Sequence, residues 1–230
     1  MKWIAIIPAR GGSKRLPRKN ILDFQGRPML AYTVAAALET GLFEQVIVST
    51  EDDEIAAVAH AAGAQVDRRS PDLATDKSTV AEVCAELLQR EAHAGRHYDG
   101  LCCCYATAPL RTAADIAATV GLIQPGQCEF AVAVTTFSHY PHQALRQDAQ
   151  GGLAPMWPEA AGLRSEVIGT LLAGNGSTYA VTVEAFLRDR DFYGPGMRGY
   201  RMPFHRSIDI DTREDFELAL AVANHAGFRA

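Results

Sequence analysis

Short apolar runs alternating with amphipathic helical stretches predict an α/β fold of the doubly wound class, three layers with a mostly parallel sheet covered on both faces. Three observations carry that prediction. The segments 3–7, 101–105 and 130–134 are apolar at nearly every position, as strands buried on both sides are. The stretches between them repeat apolar residues at helical spacing. The chain has 230 residues, 48% apolar and 21% charged, which is the composition of one globular domain rather than of a disordered or collagen-like chain. A domain of this length buries roughly 70–75% of its unfolded surface, so packing alone can hold it without disulfide or metal.

The first strand, 3–7, runs into a polar, glycine-containing loop and then a helix whose first turn is opened by Pro28. In that helix Leu30, Val34, Ala37 and Leu38 form the apolar stripe, and Gly41 closes it where a left-handed residue is wanted. A strand follows at 45–49. Ile55, Val58, Ala59 and Ala62 mark a second helix, and Val80, Val83, Cys84, Leu87 and Leu88 a third. Strands are expected at 101–105, 130–134 and 178–183. A last helix runs from 213 to about 226, with Thr212 and Asp215 as its capping box and Phe216, Ala219, Leu220 and Ala223 facing inward. The segment 138–174 breaks this rhythm, because Pro141, Gly151, Gly152, Pro155 and Pro158 interrupt any long helix. It reads as an insertion in a single domain spanning 1–230, either a lid or an oligomerisation arm.

Charge and cysteine usage narrow the function classes. Twenty-two Lys+Arg against 27 Asp+Glu give a net charge of −5, which disfavours a general nucleic-acid coat. No apolar run reaches the length of a membrane span, and the opening MKWIAIIPAR is shorter than a signal peptide's core, so a soluble, cytoplasmic protein is expected, with no membrane partner. The five cysteines are odd in number, and Cys102, Cys103 and Cys104 are adjacent in a strand, where neighbours point to opposite faces and cannot grip one metal together. Buried, reduced thiols are expected.

Two motifs carry chemistry. After the first strand comes Pro8-Ala9-Arg10-Gly11-Gly12-Ser13-Lys14-Arg15-Leu16-Pro17-Arg18-Lys19-Asn20, with five cations and no acid from Arg10 onward. Paired glycines let backbone N–H groups approach an anion, and the Arg and Lys side chains add forked and point-charge donors, so a triphosphate is the natural occupant. GxxxxGK[ST] is absent, so this is not a Walker loop, and a solvated basic loop is the bland alternative. The second motif is Ser207-Ile208-Asp209-Ile210-Asp211. Alternation in an extended strand places both carboxylates on one face, about 7 Å apart, able to share a hard cation, for which Mg²⁺ is expected. The alternative is that Asp211 only assists the following helix cap.

Together with FQGRPMLAY, VSTEDDEIA, RSPDLATD and DIDTREDFELA, the segment IIPARGGSKRLPRKNI resembles the CMP-sugar synthetases, in order from Ile6 to about Leu218. That resemblance implies a Rossmann-like nucleotidyltransferase that joins CTP to an acidic eight- or nine-carbon keto-sugar and releases pyrophosphate, supplying surface-glycan or flagellin glycosylation. It implies nucleotide contacts at Ala9, Arg10, Gly11, Gly12, Ser13, Lys14, Lys19, Asn20, Arg69, Asp76 and Ser78, and a metal pair at Asp209 and Asp211. Arg10, Lys19, Asp209 and Asp211 would carry the chemistry, and the inserted segment would be a homodimer arm. YATAPLR and VTTFSHYPHQALR look most like pseudaminic acid cytidylyltransferases, which have a tyrosine where Tyr105 stands and an Arg-Ser pair at Arg164-Ser165. The Asn175–Ala180 segment looks more like the sialic and legionaminic acid synthetases. Tyr105, Thr107, Arg164, Ser165 and Tyr179 are the sugar-site candidates; His139, His142 and His205 lie in loops that could face the sugar. The expected step is in-line attack of the sugar's anomeric hydroxyl on the α-phosphorus of CTP, with the loop cations steadying the departing pyrophosphate. CMP-N-acetylneuraminate, CMP-legionaminate and CMP-Kdo synthesis are alternatives. So are another nucleotidyltransferase, a nucleotide-binding protein without catalysis, and a structural interaction protein.

Overall fold

The fold is taken from a computed structural model, which describes residues 1–75 and 77–225. Strand β1 (Trp3–Pro8) lies inside the sheet and ends in the cation loop. The chain then forms a small hairpin, β2 (Asp23–Phe24) and β3 (Arg27–Pro28), and enters α1 (Met29–Glu39). Pro28 stands at the helix N-cap and Gly41, at φ +63°, follows its end, as the sequence predicts. Then come β4 (Phe43–Thr50), α2 (Asp53–Ala61), β5 (Gln65–Arg68), α3 (Val80–His93), β6 (Gly100–Cys104), α4 (Ala113–Val120) and β7 (Phe130–Thr136). The inserted region carries the hairpin β8 (Leu145–Gln147) and β9 (Leu153–Pro155) and the single turn α5 (Ser165–Ile168). The chain closes with β10 (Leu172–Thr182), α6 (Val183–Asp189), β11 (Arg198–Arg201) and α7 (Arg213–His225).

The main sheet has the order β11-β7-β10-β6-β1-β4-β5. All pairings are parallel except those of β10, which runs antiparallel to both β6 and β7. Strand β10 returns from the inserted region directly beside β7, and antiparallel neighbours need no crossover helix. Alternation splits the strand residues between two cores. Ala5, Ile7, Cys102 and Cys104 face α1, α2 and α4, while Ile4, Ile6, Leu101 and Cys103 face α3 and α6. All five thiols are free and buried, and Cys102 Sγ is 3.6 Å from Cys104 Sγ.

A third, smaller core positions the functional region. Leu16 of the cation loop, Phe24, Met29, Ile208, Ile210 and Phe216 pack together, with Ala219 and Ala223 of α7. The segment 207–211 forms no strand, which corrects the expected extended strand: Ser207 still belongs to the end of a helical turn (ψ 27°), and the Ile210 N–H donates to the Thr107 carbonyl at 2.9 Å. Its alternation still holds, with Ile208 and Ile210 inward and the two aspartates on the other face. Thr212 and Asp215 form the capping box of α7, and the expected helix end near 226 lies outside the described residues.

Apart from the two small hairpins and the single turn α5, four elements escape the sequence pattern. Strands β5 and β11 are the sheet edges, and their sequences QVDR and RGYR are charged, as edges that avoid further pairing are. Helices α4 and α6 have 8 and 7 residues, too short for a periodic signal to stand out. Leu38, expected on the buried stripe, is half-exposed in the last turn of α1. No described helix is long and apolar enough to cross a membrane.

Candidate active site

An open cavity of about 580 Å³ lies beyond the carboxyl ends of β1 and β6, the place where ligands bind in such sheets. Its walls come from three sources. The cation loop supplies Arg10, Ser13, Lys14, Arg15, Lys19 and Asn20. Arg69 and the stretch from Leu73 to Val83, with Ser78, form a second side, and Tyr105, Thr107, Asp209 and Asp211 the third. Two motifs nearly 200 positions apart therefore face each other across one space.

The loop is held in shape by a contact of its own and by ion pairs to other segments. Asn20 is buried, and its Nδ2 donates to the Arg10 carbonyl at 2.9 Å, tying the ends of the loop together. Lys19 Nζ donates to Asp211 Oδ1 at 2.7 Å, and Arg15 Nη2 to Asp211 Oδ2 at 2.6 Å. Burial works to raise the Asp211 carboxyl, but the hydrogen bond and charge of Lys19, with Arg15, outweigh it and hold it below the usual carboxylate range. Arg18, the remaining loop cation, turns away from the cavity to pair with Asp52 and Glu54.

Asp209 is the opposite case. Burial pushes its carboxyl up, with the charge of Asp211 adding to the effect and the Thr107 side-chain hydrogen bond opposing it. Its Oδ1 is buried and has no hydrogen-bond partner. A Cβ on Gly176 would collide with the carboxylate, and Gly176 has φ +65°, so this turn requires glycine twice over. Two carboxylates bordering one cavity, one with an unused buried oxygen, form a hard-oxygen donor set that fits Mg²⁺.

Arg69 is buried and donates to the Ser49 carbonyl at 2.7 Å. Burial lowers its affinity for its proton, and the Glu51 carboxylate works against that loss. Ser78 Oγ donates to the Asp72 carbonyl at 3.1 Å. Tyr105 forms a wall of the cavity, backed by Tyr179 at 5.3 Å between ring centroids, and burial raises both phenols so that they stay protonated.

The structure brings together Arg10, Ser13, Lys14, Lys19, Asn20, Arg69, Ser78, Tyr105, Thr107, Asp209 and Asp211. Other expected residues stand elsewhere. Ala9 is a core residue, and its N–H is given to the Ser49 carbonyl at 3.0 Å. Gly11 and Gly12 do not line the cavity, and the Gly11 N–H donates to Glu51 Oε1 at 2.8 Å. Tyr179 is buried behind Tyr105 rather than in the cavity wall. Arg164 is exposed and Ser165 borders a separate cavity in the inserted region, with Phe137, Tyr140 and His142. His139 and His205 are exposed, and none of the three loop histidines borders the first cavity. Asp76 lies outside the described residues. Sequence reasoning passed over the seat at Gly176, though an Asn-Gly pair signals a left-handed turn, and the apolar floor of Leu73, Val80 and Val83, which gives no signal short of the fold.

Residues 4–142 match the family described as Cytidylyltransferase. The chain is 34% identical to pseudaminic acid cytidylyltransferase of Campylobacter jejuni, over 98% of both chains. It is 33% identical to the CMP-N,N'-diacetyllegionaminic acid synthase of Legionella pneumophila, over 95% of this chain and 94% of that one. It is also 33% identical to N-acylneuraminate cytidylyltransferase of Escherichia coli, over 96% of this chain and 52% of the relative. Among solved structures, a CMP:2-keto-3-deoxy-manno-octonic acid synthetase complexed with CTP superposes with a TM-score of 0.70 at 18% identity, covering 98% of this chain and 100% of that one, which is a likeness of fold.

Proposed function

The chain belongs to the cytidylyltransferase family, and from that premise we propose that it transfers the cytidylyl group of CTP to a free nonulosonic acid, pseudaminic acid first, releasing pyrophosphate. It is a nucleotidyltransferase. The observation that carries the proposal is the single cavity in which the loop cations face Asp209 and Asp211. A triphosphate offers four negative charges, and Arg10, Lys14, Arg15 and Lys19 offer four positive ones along one wall.

In the proposed reaction the sugar's anomeric hydroxyl attacks the α-phosphorus in line, and the P–O bond to the leaving pyrophosphate breaks as the new one forms. Asp209 and Asp211 would hold Mg²⁺, which when bound supplies positive charge to the phosphates and lowers the pKa of a hydroxyl beside it. Arg15 and Lys19, which pair with Asp211 at the edge of the cavity, are placed to turn to the triphosphate and steady the charge that develops on pyrophosphate. Asn20 keeps the loop ends together, and Thr107 orients Asp209. Tyr105, protonated and backed by Tyr179, is a hydrogen-bond donor for the sugar rather than a base.

The inserted arm suits a homodimer, because Val167 is 70% and Leu153 62% exposed, and Leu145, Trp157 and Tyr140 are exposed with them. Five reduced thiols suit a cytoplasmic protein. A second reading, synthesis of CMP-N-acetylneuraminate or CMP-legionaminate, draws on the 33% identity to relatives of those names and on the Asn175–Ala180 segment. The test is pyrophosphate release from CTP and Mg²⁺ with pseudaminic, legionaminic, N-acetylneuraminic acid and Kdo offered separately. Release with pseudaminic acid alone is expected; release with another of the four moves the assignment to that sugar, and none with any of them overturns it.

A further inference from the structure

The cation loop is fastened from outside the cavity, at both ends, by the acidic turn between β4 and α2. At its start the Gly11 N–H donates to Glu51 Oε1 at 2.8 Å. A side chain at position 11 would run into the Asp52 carboxylate, so the glycine is what lets the backbone come this close. At its far end Arg18 pairs with Asp52 and Glu54. Arg18 has φ +57°, a left-handed conformation unfavourable for a residue with a Cβ, which the two ion pairs hold in place. Between the two fastenings Ser13, Lys14 and Arg15 arch along the cavity wall. Asp52 is also committed as the N-cap of α2, through the Glu54 and Ile55 N–H groups, so the anchor is itself rigid.

Glu51 differs from Asp52 and Glu54 in having no salt bridge among the described residues, while its Oε2 is buried and has no hydrogen-bond partner. Keeping half a carboxylate buried and unsatisfied is unfavourable, and such groups persist where they serve a purpose beyond stability. Its negative charge also reaches Arg69, which lines the cavity and donates to the Ser49 carbonyl, and favours that guanidinium's charged form. We propose that Glu51 is a positioning residue for the nucleotide: by accepting the Gly11 N–H it pins the start of the cation loop, so that Arg10, Lys14 and Arg15 are ordered along the cavity before the triphosphate arrives. This rests on the CTP reading given above. A loop ordered in advance spares the nucleotide the entropic cost of ordering it, which is felt in affinity more than in the chemical step.

The test compares wild type, Glu51→Ala and Glu51→Gln by two measurements. The first needs no ligand: trypsin nicking after Lys14 and Arg15 in the unliganded protein, with the melting temperature recorded to separate loop release from unfolding. The second is CTP affinity by calorimetry, with KM and kcat for pyrophosphate release beside it. Glu51→Ala is expected to be nicked about tenfold faster and to bind CTP about tenfold more weakly, with kcat changed much less. Glu51→Gln, whose amide oxygen still accepts the Gly11 N–H, is expected to restore both. Unchanged nicking in Glu51→Ala overturns the pin even if the protein never uses CTP. Changed nicking with unaltered CTP affinity overturns the role in nucleotide binding, and a Gln variant as impaired as the Ala variant shifts the effect from the hydrogen bond to the charge beside Arg69 and overturns the pin as well.

Discussion

Lys19 and Asp211 stand 192 positions apart in sequence and 2.7 Å apart in space, with the ammonium donating to one carboxylate oxygen while Arg15 holds the other. The pair joins the cation loop to the acidic segment. Each partner has a second use in the proposed reaction, so the ion pair keeps both poised rather than idle.

Alanine at either position is therefore expected to slow pyrophosphate release about 100-fold or more, the usual cost of removing one preorganised charge from a transition state. The double variant should lose far less than the product of the two, because both act on the same phosphates. Steady-state rates for the two single variants and the double variant check this; strict multiplicativity would mean that Lys19 and Asp211 act independently.

Gly176→Ala should displace the Asp209 carboxylate, against which the new methyl would collide, and force an alanine into a left-handed turn at φ +65°. The backbone penalty alone is about 1 kcal/mol. Activity is expected to fall about 100-fold while CTP affinity changes little, since the loop cations remain in place. Comparing kcat with the calorimetric affinity separates the two effects, and loss of affinity matching the loss of rate would contradict it.

Asp209→Asn is expected to gain stability as it loses activity. The native carboxylate is buried, one of its oxygens has no partner, and its pKa is raised by that burial and by the neighbouring Asp211. Removing the charge should stabilise the protein in metal-free buffer by about 1 kcal/mol, or roughly 2–4 °C in Tm for a domain of this size. Differential scanning calorimetry beside the pyrophosphate assay reads both; a Tm that falls would mean that the charge is better compensated than the structure indicates.

The inner strands of the sheet and its longer helices are legible in the sequence because their signals are local. Leu101 to Cys104 is apolar throughout, and Thr212 with Asp215 announces a helix start within four residues. The same holds for the two motifs of the site, each of which is contiguous. What escaped depends on contacts between distant segments. The Gly11 amide is in hydrogen-bond contact with Glu51, so a glycine read as part of a phosphate cradle is spent on a carboxylate 40 positions away. Tyr179 alternates correctly along its strand, but only the packing of β10 against β6 shows that it supports Tyr105 instead of reaching the cavity. Arg164 and Ser165 lie on an arm whose seat within one chain is a different cavity, and spacing along the sequence carries no information about that distance.

Asp115 ties the front of α4 to the acidic segment and gives the fold a defined acid limit. It is fully buried; it accepts two hydrogen bonds from Arg206, at 2.8 and 3.0 Å, and caps α4 through Thr112. Burial works to raise its carboxyl, but the Arg206 hydrogen bonds, the Thr112 donors and the Arg206 charge outweigh it, and its pKa lies below the usual value. The unfolded chain then binds more protons between the two values, so the contribution of Asp115 is fully present above the ordinary carboxylate pKa of about 3.9 and is lost as pH falls through the native one. Asp115→Asn, which leaves Arg206 without its counter-charge, should cost about 3 kcal/mol at pH 7, and the gap to wild type should close progressively as the pH is lowered past 4. Urea unfolding of the two proteins across pH 3–7 measures it. Because Arg206 immediately precedes the segment carrying Asp209 and Asp211, kcat should fall in the same variant; a stability gap that stays constant down to pH 3 would remove Asp115 as the titrating group.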